Sequence, residues 1–68
     1  MNWSCIEVES KYGSLLWIRE DGLARIMGDT YNSSLVYQTR KTIDSEWSEI
    51  QKTDDLEKAK AACGEINA

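Results

Sequence analysis

The sequence predicts an α+β fold, an antiparallel sheet of four to five strands followed by one C-terminal helix. Three observations carry this reading. Short runs of alternating apolar and polar residues fill most of the chain before residue 40, and a period of two is the mark of a strand. Turn sequences separate the runs, the strongest being Glu20-Asp21-Gly22, where glycine accepts the positive φ a tight hairpin needs. After residue 53 the spacing becomes helical, with carboxylates at the start of the segment.

Taken in order, Trp3 to Glu9 places Ile6 and Val8 on one side of a strand and Trp3, Cys5, Glu7 and Glu9 on the other. Ser10 to Gly13 reads as a turn, Ser14 to Glu20 as a second strand and Leu23 to Met27 as a third. Two registers compete for this hairpin. A two-residue Asp21-Gly22 loop pairs Ile18 with Arg25 and mixes charge into both faces. A three-residue loop pairs Ile18 with Ala24 and gives one purely aliphatic face of Leu16, Ile18, Ala24 and Ile26. A one-residue slip exchanges the faces, so the expected register is the one with the clean face. Gly28 to Ser34 reads as a polar loop and Leu35 to Thr39 as a fourth strand. Arg40 to Ser45 makes a turn. Residues 46–51 fit a fifth strand or a helical turn, and the strand is the expected form.

The last element is a helix. Asp54 and Glu57 have capping-box spacing, and acidic residues there suit the positive end of the helix dipole. Leu56, Ala59 and Cys63 make an apolar stripe, Asp54/Lys58 and Glu57/Lys60 are spaced as ion pairs, and Gly64 reads as the stop.

A chain of 68 residues bounds the rest. It predicts a single domain, residues 1–68, that buries only about 60% of its unfolded surface. Three Trp, three Tyr and the absence of Pro argue against disorder and against a linker. No apolar run approaches the roughly 18 residues of a membrane span, and the Met1-Asn2-Trp3-Ser4-Cys5 start lacks the pattern of a signal peptide. A cytoplasmic protein is expected, with Cys5 and Cys63 as thiols rather than a disulfide. The charge is uneven. Residues 1–43 hold five basic and five acidic groups, whereas residues 44–68 hold three basic and seven acidic ones and so carry the whole net charge of −4.

Composition also excludes chemistry. There is no histidine, which removes the commonest general base and metal ligand, and no Ser or Cys has a His to activate it. The four glycines are scattered, not gathered into a phosphate loop. Asp54-Asp55 read as capping groups rather than a metal pair. No enzyme activity, metal or cofactor is expected; the protein is expected to bind a partner.

The expected register directs Trp17, Arg25 and Met27 away from the helix, joined by Tyr37 and Trp47. One short helix cannot cover both faces of a sheet, and an uncovered aromatic face marks a binding surface. The candidate partner-binding residues are Trp17, Arg19, Arg25, Tyr37, Glu46, Trp47 and Glu49. Three arrangements account for them: a closed small barrel in which they are core, a homodimer through the open face, or a platform stacking single-stranded nucleic acid or peptide. The net charge opposes nucleic acid. The acidic C-terminal third offers the reverse, a surface that imitates nucleic acid and occupies a basic cleft.

The segment Lys52-Thr53-Asp54-Asp55-Leu56-Glu57-Lys58-Ala59-Lys60-Ala61-Ala62-Cys63 resembles the closing helix of many small phage and prophage accessory proteins, which place a Trp-bearing antiparallel sheet before it. The resemblance implies a mobile-element protein. Small acidic proteins of that kind include inhibitors of host defence such as anti-CRISPR proteins, which occlude a nucleic-acid-binding or partner-binding surface. It implies a protein partner, such as a host defence complex, and assigns no site residue.

Overall fold

The computed structural model describes residues 2–29 and 34–67, with side chains through Cys63. Five strands form one antiparallel meander in the order β1-β2-β3-β4-β5, and a helix closes the chain. The strands are β1 (Trp3–Ser10), β2 (Gly13–Arg19), β3 (Ala24–Gly28), β4 (Leu35–Thr39) and β5 (Gln51–Thr53); the helix is α1 (Leu56–Asn67). The expected α+β architecture is therefore present. Part of the polar loop expected over residues 28–34 lies outside the described residues.

Each strand follows its neighbour through a local turn. Between β1 and β2 the Ser10 hydroxyl donates to the Gly13 carbonyl (2.7 Å) and accepts the Tyr12 N–H (3.3 Å). Gly13 has φ +146°, and a Cβ there would overlap the backbone of Gly28, so only glycine fits.

The β2–β3 hairpin departs from the expected register. Ile18 pairs with Arg25 and Trp17 with Ile26, the pairing that mixes charge into both faces. The reason lies in the turn. Gly22, at φ +74°, donates its N–H to the Arg19 carbonyl (2.8 Å), and Asp21 Oδ1 accepts both the Leu23 N–H and Arg19 Nε at 2.9 Å. The Arg19 guanidinium thus meets a carboxylate at 2.8 Å, which removes the objection to an arginine on the buried face.

The slip exchanges the faces. Trp17, Ala24, Ile26 and Leu35 form the core with Ala59 and Cys63, and Trp3, Leu15, Tyr37 and Leu56 pack around it. Leu16 and Ile18, expected beneath the helix, lie on the opposite face with Arg25 and Met27. The helix packs over β4, with β3 and β5 beside it.

Two local expectations also shift. Asp55, not Asp54, caps the helix: its Oδ1 accepts the Glu57 N–H at 2.8 Å, while Asp54 meets Lys58 at 3.4 Å. Gly64 does not stop the helix, which continues to Asn67. Among the described residues no helix is long and apolar enough to cross a membrane. Cys5 is exposed on β1, Cys63 is buried, and both are thiols.

Candidate binding surface

A surface fixed by several hydrogen bonds is built by residues 40–50, which leave β4 and return along it. The Arg40 N–H donates to the Leu23 carbonyl at 3.0 Å, and the chain turns where the Ser45 N–H meets the Thr42 carbonyl at 3.1 Å. It comes back beside β4: the Ser48 N–H donates to the Thr39 carbonyl (2.8 Å), and the Thr39 N–H donates to Ser48 Oγ (3.1 Å). Gln38 Nε2 adds a bond to the Ser48 carbonyl at 2.9 Å. The segment is a strap, neither the helix nor the full strand that its sequence allowed; only Gln51–Thr53 joins the sheet.

Trp47 fastens the strap. The Arg25 guanidinium lies 4.2 Å from its ring centroid and that of Arg40 4.3 Å. Both cations are also held by hydrogen bonds. Arg25 Nε and Nη2 donate to Gln38 Oε1 at 3.0 and 2.7 Å, and Arg40 Nε donates to the Gly22 carbonyl at 2.9 Å. Burial, and then the neighbouring Arg40 charge, push the Arg25 pKa down; an arginine nevertheless stays protonated. Guanidinium over an indole face contributes about 0.5–2 kcal/mol depending on desolvation. Among the described residues neither arginine has a carboxylate partner. The indole supplies the electron-rich surface instead.

The candidate residues therefore divide. Arg25 and half-buried Trp47 meet on one face, with Glu46 and Glu49 exposed on either side of Trp47. Trp17, Arg19 and Tyr37 lie on the other, beneath the helix. Trp17 is 9% exposed and Arg19 4% exposed, with Arg19 Nη1 donating to the Cys63 carbonyl at 3.2 Å. The open aromatic face expected around Trp17 is thus part of the core, because the register places Trp17 opposite Ile26. A platform for stacked bases loses its central residue with it. Sequence reasoning missed Arg40 as a cation over Trp47 and Gln38 as the residue that bonds Arg25 and the Ser48 carbonyl; no spacing in the chain announces them, since the contacts are tertiary.

A run of acid starts in the strap. Asp44, Glu46, Glu49, Asp54, Asp55 and Glu57 are all exposed, and between residues 44 and 57 Lys52 is the one basic residue. Among the described residues only Asp54 of the six pairs with a cation. The run passes from the strap through edge strand β5 to the start of α1, so it occupies one end of the sheet. Comparison of the chain with protein-family models, curated proteins and solved structures gives no match.

Proposed function

We propose that this is a non-catalytic inhibitor or adaptor that binds a protein partner through its acidic end, formed by the strap, β5 and the opening turn of α1. The supporting observation is the set of six exposed carboxylates over residues 44–57, five of them without a cationic partner among the described residues. Solvated carboxylates at this density create a negative field that steers a basic surface into contact. Trp47, Arg25 and Arg40 hold the strap to the sheet, which keeps Glu46 and Glu49 preorganised and lowers the entropy lost on binding. The basic surfaces that best fit such a field are those of proteins that handle nucleic acid. Together with the resemblance of the closing helix to phage accessory proteins, this favours a mobile-element protein acting in the host cytoplasm by occluding a defence complex.

The test is inhibition. Purified DNA-binding CRISPR effector complexes are offered labelled target DNA with and without the protein. The expected result is loss of DNA binding by one effector class, with no shift of DNA by the protein alone. Undisturbed DNA binding across the effector classes, together with a direct and salt-sensitive shift of single-stranded DNA by the protein, overturns the proposal.

A further inference from the structure

The acidic end is one edge of the sheet; the other is β1. The two edges differ in length, since β5 spans 3 residues and β1 spans 8. An edge strand carries a row of N–H and C=O groups open to a new strand. Among the described residues nothing covers this row on β1: Ser4 to Glu7 are exposed, with Ile6 51% exposed, and the helix packs over β3 to β5.

The ladder shows which groups point outward. The Glu20 N–H donates to the Asn2 carbonyl at 2.9 Å, next to the Trp3–Arg19 pair. Bonded and non-bonded pairs alternate along an antiparallel ladder. Ser4 and Ile6 therefore bond to β2, while the N–H and C=O groups of Trp3, Cys5 and Glu7 face the free edge. The regular part of β1 runs from Trp3 to Glu7 and ends at an irregularity before Ser10. Its midpoint is Cys5.

We propose that this edge is a homodimer interface, in which β1 pairs antiparallel with β1 of a second copy about a two-fold axis at Cys5. The N–H and C=O of Cys5 then bond those of Cys5 in the second copy, and Trp3 pairs with Glu7 in both directions, so each outward group of the regular stretch finds a partner. On the other face Ser4 lies opposite Ile6. Charge selects this register over one centred on Glu7, which sets two carboxylates face to face. The interface is self-complementary and uses the long edge of each copy, so assembly closes at a dimer with a continuous sheet and both helices on one side. This surface is separate from the acidic end and does not rest on its proposed role.

Sedimentation equilibrium and cross-linking test the inference together. The native protein sediments as a dimer, and a short bismaleimide links two copies through exposed Cys5, Cys63 being buried. Cys5→Pro removes an N–H that faces outward, which an edge strand tolerates; it retains the monomer's circular dichroism but raises the dimer dissociation constant about tenfold or more. Cys5→Lys, a gentler change for the fold, opposes two ammonium groups and weakens the dimer likewise. Ser4→Pro instead removes a bond to β2 and lowers the melting temperature. A monomeric native protein, or a dimer that survives both Cys5→Pro and Cys5→Lys, overturns the interface.

Discussion

Arg19 is the residue on which the fold turns. Its side chain is 4% exposed and spends its donors on Asp21 and the Cys63 carbonyl, tying the hairpin to the helix. Asp21 answers with both oxygens and also accepts the Leu23 N–H. The hydrogen bond from Arg19 is the main cause holding the Asp21 carboxyl below its ordinary value of 3.8. A depressed folded-state pKa gives stability that is fully present above the unfolded value and is lost as pH falls through the folded one. Asp21→Asn should destabilise the protein by roughly 1–3 kcal/mol at neutral pH, the buried-pair penalty reduced because Asp21 is partly solvated. The gap between variant and native protein should close as pH drops below 3.8, which urea denaturation across pH reads directly. A constant gap removes the charge from the account. The same side of the sheet decides two isoleucines. Ile26 is fully buried and Ile18 only half-buried on the opposite face, so Ile26→Ala should cost about 2–5 kcal/mol and Ile18→Ala clearly less. Equal losses on melting contradict the observed register.

At the scale of elements, helix α1 offers the sharpest comparison. Asp54 and Asp55 are adjacent and chemically identical, yet one accepts the Glu57 N–H and the other an exposed lysine. Asp55→Ala should cost about 0.5–2 kcal/mol as a lost cap, and Asp54→Ala a few tenths as a lost surface pair. Thermal melts of the two variants separate them, and a larger loss for Asp54→Ala returns the cap to the position that capping-box spacing suggests. The case also shows what a sequence holds. Strand, turn and helix signals are local, so the element order and most boundaries were legible. The cap was ambiguous by one residue because either aspartate satisfies the pattern. The hairpin register was misread because a clean aliphatic face looked better than two faces each bearing an arginine. That judgement required Arg19 to have a partner in its own turn and at Cys63, and Arg25 to have one in Trp47. Contacts between distant segments are invisible to periodicity. Of the candidate surface, Glu46, Trp47 and Glu49 were legible as an unassigned acidic flank around an aromatic residue, whereas Trp17 and Arg19 moved into the core with the register.

Across the whole molecule the sheet separates two surfaces. Four strand spacings lie between β1 and β5, or about 19 Å at roughly 4.8 Å each, a distance at which substitutions act additively. The acidic end and the β1 edge should therefore fail independently. Glu46 and Glu49 are exposed and form no ion pair among the described residues. Reversing both to lysine moves the net charge from −4 to 0, since each reversal adds two units to the formal charge. The fold should keep its stability within about 0.5 kcal/mol, as surface changes usually do. Association with an inhibited effector should slow and lose most of its dependence on salt, because steering by opposite charge is screened over about 10 Å at 0.1 M ionic strength. Dimerisation through β1 should persist in this variant, and in Cys5→Lys the individual acidic ends should still slow and quicken their encounter with the effector as salt rises and falls. Stopped-flow association at several salt concentrations, run beside sedimentation on the same samples, gives both readouts. Native on-rates with native salt dependence in the Glu46→Lys, Glu49→Lys double variant remove the acidic end as the docking surface, while leaving the β1 interface to stand or fall on its own measurements.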